Sequence, residues 1–318
     1  MQFRTQIPVH QSNFPIDYDA RIVSLGSCFA ENIGAKFDYF KFRNQTNPFG
    51  IIFNPVSLER LLRRCVQLDW YTEKDIFFHN ERWNCYEVHS ELSKTDKNEF
   101  QKQLNQKVKE THQQLKEASH CVITLGTAWV YRNIEAGEIV ANCHKVPQKH
   151  FDKELLSVTV IQNNLNGIIT QLRAFNPLLQ FIFTVSPVRH IKDGFVENQQ
   201  SKAHLITALH EVLQTGTHRQ TAHYFPSYEI MMDELRDYRF YAEDMLHPNA
   251  VAIDYIWERF CEAMLAESTY VVMDAIDAVQ KGLQHRSFNP DSEQHAKFTA
   301  NLNRKIAALQ EKYPHMTF

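Results

Sequence analysis

Arg21-Ile22-Val23-Ser24-Leu25-Gly26-Ser27-Cys28-Phe29-Ala30, running on into Glu31-Asn32-Ile33-Gly34-Ala35-Lys36-Phe37, decides the fold. A short apolar run stops at a glycine, and the residues beyond it carry apolar side chains at helical spacing. The segment therefore reads as strand, tight turn, helix. The pattern recurs along the chain. Tyr39 to Phe42 is a second apolar piece, Cys121 to Leu125 is a continuous run halted by Gly126, Phe181 to Val185 ends at Ser186-Pro187, and His223-Tyr224-Phe225-Pro226 is a last short strand. Helical spacing fills the intervals at Val56 to Gln67, Lys97 to Ala118, Val158 to Asn176 and Asn198 to Leu213. Strands that are apolar throughout, separated by helices, belong to a parallel sheet covered on both faces. The expected fold class is α/β, a three-layer α/β/α sandwich around a five-stranded parallel sheet.

Composition narrows the function classes. The 318 residues carry 34 Lys+Arg against 37 Asp+Glu, a formal charge of −3. Such a balance argues against a protein that grips nucleic acid through a broad positive field. With 43% hydrophobic and 22% charged residues, the chain can bury a large core, which excludes disorder and fibrous repeats. No run of about 18 apolar residues exists, and Met1 to Pro8 has no apolar segment of signal-peptide length. A cytoplasmic protein without a membrane partner is expected. The six cysteines, Cys28, Cys65, Cys85, Cys121, Cys143 and Cys261, form no C-x-x-C pair, so reduced and mostly buried thiols are expected.

Two small hairpins are expected as insertions, one between Asp69 and Leu92 and one around Ile139-Val140-Ala141 before Val146-Pro147. Pro248 reads as the opening of a helix that reaches Leu265. A helical tail follows, broken at Ser287 to Ser292, with Phe298, Leu302, Ile306 and Leu309 as an apolar stripe. The parse is an α/β domain over residues 1–265 and a helical C-terminal extension over 266–318 packing on it.

In an open parallel sheet, ligands bind beyond the carboxyl ends of the strands, where loops converge and helix N-termini present donors. That rule selects Gly26-Ser27-Cys28-Phe29-Ala30, Asn47-Pro48-Phe49-Gly50, Gly126-Thr127-Ala128-Trp129, and the stretch after the last strand containing Asp244-Met245-Leu246-His247-Pro248. The first offers a hydroxyl and a thiol at a turn whose helix N-terminus favours an anionic nucleophile. The last can orient an imidazole with a carboxylate, the base-and-orienter part of a triad. One Asp-x-x-His spacing is expected by chance in a chain with this many aspartates and histidines, so its weight comes from its position after the last strand. A loop carboxylate and a helix-capping imidazole are the bland alternative. For Cys65, Cys121 and Cys261, each inside an apolar run, core filling is expected.

Gly26-Ser27-Cys28-Phe29-Ala30 resembles the name-giving motif of the GSCFA family, which looks like a branch of the SGNH/GDSL hydrolase superfamily. The resemblance extends through Leu125-Gly126-Thr127-Ala128, Thr184 to His190 and Asp244 to Pro248. It implies acyl-ester hydrolysis or acyl transfer without metal or other cofactor. Laying Gly26 on the superfamily's Gly-Asp-Ser places Cys28 at the nucleophile, with Ser27 the alternative, His247 the general base and Asp244 its orienter. The superfamily's oxyanion asparagine falls on Ala128, so that donor is missing. Asn47, the Thr127 hydroxyl and the Asn142-Cys143-His144 loop are the substitutes considered, beside Gly126 and the backbone N–H groups of Cys28 and Gly50. Arg189-His190, after the fourth strand at the same sheet edge, is placed to hold a substrate carboxylate or sugar hydroxyl, with loop packing the equal alternative. The implied partner is a small-molecule or carbohydrate acyl ester, and the oligomeric state stays open. A binding module that has kept the fold and lost catalysis is the second reading; a thiol or hydroxyl within about 3–4 Å of the His247 ring would favour the enzyme.

Overall fold

The computed structural model describes residues 5–214 and 218–318. Residues 1–4, part of the stretch considered above for a leader, lie outside the described residues. Among the described residues, ten strands and nine α-helices follow in order. They are β1 (Arg21–Gly26), α1 (Cys28–Tyr39), β2 (Arg43–Thr46), α2 (Pro55–Gln67), β3 (Phe77–His79), β4 (Arg82–Asn84), α3 (Lys97–Glu117), β5 (His120–Leu125), β6 (Trp129–Asn133) and β7 (Glu138–Val140). After them come β8 (Phe151–Leu155), α4 (Val158–Phe175), β9 (Gln180–Val185), α5 (Phe195–Gln214), β10 (Ala222–Phe225), the short α6 (Ser227–Glu229), α7 (Ala250–Met264), α8 (Ser268–Gln284) and α9 (Glu293–Lys312).

The main sheet is parallel with order β10-β9-β5-β1-β2. Numbered as five strands in chain order this is 5-4-3-1-2, so the winding reverses between β1 and β5. That switch point is where a crevice opens beyond the carboxyl ends. Alternate residues of the central strands face opposite layers. Val23, Leu25, Cys121, Ile123, Leu125, Phe181, Phe183 and Val185 pack with α2, α3, α4 and α5. Ile22, Val122 and Ile182 face α1, α7 and α8 through Phe29, Phe37, Trp257, Phe260 and Ile276. Two apolar layers on one sheet make the three-layer α/β/α sandwich.

The second strand of the sheet differs from expectation. It is Arg43-Asn44-Gln45-Thr46, four residues later than the apolar piece Tyr39 to Phe42, which instead finishes α1 and turns the chain. The strand is polar because it forms an edge, half-buried along its length, and β1 supplies its partners in register from Arg21↔Arg43 to Ser24↔Thr46. The β3–β4 hairpin lies inside the aromatic insertion. It is joined to α2 by Arg64, whose guanidinium meets Glu87 at 2.8 Å and Asp75 at 3.2 Å. The second insertion is larger than a hairpin, a three-stranded antiparallel sheet of order β7-β6-β8.

Pro248 stands outside its helix. Asn249 is the cap, accepting from Ala252 N at 3.0 Å, and α7 begins at Ala250. Leu309 is buried in the α1/α7/α8 layer, and Leu302 and Ile306 are packed against that layer, so the tail stripe faces its own chain. All six cysteines are free thiols, and Cys65, Cys85, Cys121 and Cys261 are buried. Among the described residues no helix is long and apolar enough to cross a membrane.

Candidate active site

Gly26 ends β1 with φ +134°, where a Cβ would stand 2.1 Å from the Thr124 carbonyl oxygen of β5. Only glycine fits there. Ser27 N–H then donates to Thr124 O at 3.0 Å, and the chain turns into α1. Ser27 is 1% exposed, and its hydroxyl caps the helix by accepting from Phe29 N at 3.2 Å. Cys28, the first residue of the helix, is partly exposed. Of the two nucleophile candidates, the serine is committed to the cap and the thiol is the one that can be reached. The expectation of an anionic thiol is corrected. Burial pushes the Cys28 thiol up and Glu31 adds to it, while the N–H groups of Phe29 and Cys28 and the Lys202 charge work against them without reversing the result. At rest the sulfur is a neutral thiol.

Asn47 to Gly50 forms a tight turn beside this strand end. Asn47 N donates to Ser24 O at 2.9 Å and Gly50 N to Asn47 O at 2.8 Å. The Gly50 N–H is therefore spent in its own turn and leaves the set of oxyanion donors. Asn47 is 8% exposed, and its Oδ1 accepts from Gly26 N at 2.8 Å. Because that amide must meet an acceptor, the carboxamide orientation is fixed. Its Nδ2 is left buried beside the turn without a partner.

The other candidates divide. Gly126 N donates to Phe53 O at 2.9 Å, and a Cβ at Gly126 would meet Phe53 Cβ at 2.8 Å, so this glycine admits the Phe53 wall of the crevice. The Thr127 hydroxyl is buried, 2.8 Å from Ser201 Oγ, and accepts from Trp129 N at 3.0 Å; it faces inward and is not a free donor. Asn142 and His144 sit in the inserted region. Asn142 Oδ1 accepts from His144 N, and the His144 ring lies 2.7 Å from Cys85 O and edge-on to Phe77. Neither touches Cys28.

Asp244 and His247 meet as the Asp-x-x-His spacing suggested. Asp244 Oδ2 stands 2.6 Å from His247 Nδ1, while its Oδ1 accepts from Leu246 N at 2.9 Å and His247 N at 3.0 Å. These bonds, led by the two backbone amides, hold the Asp244 carboxyl down at about 2. An ionised carboxylate only accepts, so Nδ1 carries the hydrogen and Nε2 is the basic nitrogen. The loop closes through Ala242 N to His247 O at 2.8 Å, with Met245 in the left-handed region at φ 59°. Asp244 is thus both loop anchor and orienter, and the capping role belongs to Asn249 rather than the imidazole. Arg189 braces the same loop. Its N–H donates to Leu246 O at 3.3 Å, its guanidinium binds Met245 O, and it lies 4.4 Å over the Tyr241 ring.

Lys202, on α5, was not among the residues the sequence singled out, and it ties together the exits of β5 and β9. It is 0% exposed, and Nζ donates at 2.7 Å to both Gly126 O and Ser186 O, the carbonyls just beyond β5 and β9. Burial brings it down to about 7, opposed by Cys28. His190 is pushed down to about 3, first by burial and then by the charges of Lys202 and His247. Its Nε2 is buried without a partner. His190 follows β9, and its backbone N–H donates to Asn198 Oδ1 of α5 at 2.8 Å. No hydrogen bond joins Cys28 or Ser27 to His247 among the described residues. Two large hollows, of about 810 Å³ between α1, α7 and α8 and about 750 Å³ beside β10, share no lining residue with this set.

Comparison with known proteins matches residues 276–318 to the family described as GSCFA domain protein, C-terminal domain. No curated protein matches the chain. The match that covers the sheet, its switch point and every strand-end segment described above spans residues 21–260, and by it the chain belongs to the GSCFA family.

Proposed function

We propose that this protein is an SGNH/GDSL-type hydrolase or acyltransferase acting on an acyl ester, with Cys28 as nucleophile, His247 as general base and Asp244 as its orienter. The observation that carries the reading is the Asp244–His247 pair, in which an ionised carboxylate leaves Nε2 as a base on the same sheet rim as the accessible thiol. Because the resting thiol is neutral, the proton leaves as attack occurs. The sulfur forms its bond to the ester carbon, the carbonyl π pair moves onto oxygen, and the thiol proton passes to His247. Cys28 N–H and Asn47 Nδ2 donate to the oxyanion. Collapse breaks the carbon–oxygen ester bond, and His247 returns the proton to the departing alkoxide. Water or an acceptor hydroxyl then cleaves the thioester, again with His247 as base. Hydrogen bonds of this kind lengthen in the free enzyme and tighten around substrate, which accommodates the absence of a Cys28–His247 hydrogen bond among the described residues. The free thiols support the cytoplasm, a reducing compartment, as the proposed setting of the reaction.

Labelling with a thiol alkylator and a fluorophosphonate, followed by peptide mapping, tests the assignment, with acylated carbohydrates in the ester panel. An adduct at Cys28 together with turnover lost in Cys28→Ala and His247→Ala is expected. No adduct at residue 27 or 28 and no turnover across the panel would sink it.

A second reading, a binding module for a glycan or peptide, is favoured by two observations. They are the missing Cys28–His247 hydrogen bond and the methyl of Ala128, which is buried in the core. Affinity for a glycan array member that survives Cys28→Ala and His247→Ala, with no product formed, would select it.

A further inference from the structure

β10 is the outer strand of the main sheet and pairs with β9 alone. Phe181 N donates to Thr221 O at 2.8 Å, and with Ala222 in register with Phe181 the backbone groups of Thr221, His223 and Phe225 turn toward β9. The N–H and C=O groups of the intervening residues, Ala222 and Tyr224, therefore point off the edge. No backbone bond among the described residues reaches them. Beside this edge lies the hollow of about 750 Å³, whose opposite wall is the segment from Ile7 to His10. Ile7 fixes that wall, since its N–H donates to Glu234 Oε2 at 3.0 Å and its carbonyl accepts from Arg259. Both faces of the sheet bring imidazoles to the gap. The Tyr224 ring lies against His210 of α5, with centroids 4.6 Å apart, while His223, opposite Ile182 in the ladder, takes the α7 face. His10 and Arg219 complete the basic lining, and among the described residues no Asp or Glu lines the hollow. Glu229 is engaged by the Tyr224 hydroxyl, which stands 2.7 and 2.8 Å from its two oxygens.

We propose that this hollow is a docking site for an extended acidic peptide of another protein, which adds a strand to the β10 edge and sets its carboxylates against Arg219 and the imidazoles. The unpaired edge groups give main-chain bonds, and the lining dictates the sign of the partner. A neutral imidazole still donates one N–H, so the histidines serve a carboxylate whether or not they are protonated. A basic strand would pair its backbone equally well but face Arg219 with like charge. A small organic anion would meet the charge and leave the ladder unmet. The hollow has the volume of a ligand site and lies apart from the Cys28 crevice, so the docking does not depend on ester chemistry.

The probe is a fluorescein-labelled peptide of about eight residues alternating valine and glutamate, titrated into the full chain and followed by fluorescence anisotropy. Saturable binding is expected, weakened about tenfold or more in Arg219→Glu, a change at an exposed side chain. Ala222→Pro should weaken it as much, because it removes an outward N–H and keeps the bonds to β9. Amide exchange at residues 222 and 224 should slow when the peptide is bound. Should Ala222→Pro fail to fold, Arg219→Glu and the exchange measurement decide. No saturation up to about 1 mM, equal binding of a valine–lysine peptide, or unchanged exchange at both amides overturns the proposal. Displacement of the peptide by an equal concentration of glutarate would mark a small-anion pocket. Edge protection that grows with protein concentration alone would mark pairing with a second copy. Either of these outcomes overturns the proposal as well, and none of the readouts uses turnover.

Discussion

Ser27 and Cys28 are adjacent and chemically alike, yet the structure gives them different work, and substitution should separate them. Ser27→Ala removes a helix cap and should cost about 1 kcal/mol of stability by urea unfolding, with Cys28 still alkylated. Cys28→Ala should leave stability within about 1 kcal/mol and abolish labelling, together with any ester turnover. Asn47→Asp tests the proposed oxyanion donor more cleanly than alanine would. It keeps an acceptor for Gly26 N and removes the amide donor, so the fold should persist while kcat falls about 10²–10³-fold. Asp244 predicts the acid response. Its folded carboxyl titrates at about 2, below an ordinary aspartate near 4, so its contribution to stability is present above about pH 4 and fades as pH falls toward 2. Asp244→Asn should flatten the acid limb of the melting curve in that window. The strand–turn–helix at 26–30 was legible from its glycine and apolar run, and the Asp244–His247 contact from its place after the last strand. Lys202 was not legible in the same way. Its signal is a charge on an otherwise buried helical stripe, and its partners are carbonyls, which leave no trace in residue type.

Among the elements, those that bury an apolar run were readable from sequence, and those that complete a hydrogen-bond ladder with polar side chains were not. β1, β5 and β9 lie where their apolar runs predict, because core burial dictates both composition and position. β2 and β8 carry sequences such as Arg-Asn-Gln-Thr and Phe-Asp-Lys-Glu-Leu, and they become strands because a neighbour offers a ladder. Context outweighs propensity at such places. The turn after β1 is the opposite case, an element specified by one residue. Gly26→Ala drives a methyl against the Thr124 carbonyl from a backbone conformation that only glycine holds easily. A loss of about 3 kcal/mol or more is expected in denaturant unfolding, along with reduced Cys28 labelling.

At the scale of the whole molecule, the helical tail and the sheet share one apolar layer. Val272, Met273, Ile276, Val279, Leu309 and Met316 join Phe37, Trp257 and Phe260 in it. Ile276→Ala opens a cavity in that layer and should cost about 2–4 kcal/mol, with one cooperative transition retained in calorimetry. Two transitions would mean that the tail unfolds by itself. Mooring also extends to α1. At its far end Tyr39 OH donates to Asp277 Oδ1 at 2.9 Å, and Gln280 Nε2 donates to Tyr39 O at 3.0 Å. The helix is a strut about 18 Å long, tethered by the tail at one tip and bearing the thiol at the other. Cutting those two bonds by Tyr39→Phe together with Gln280→Ala is thus expected to fray the far tip of the strut, and a changed rate of Cys28 alkylation would report that slack at the opposite flank of the molecule.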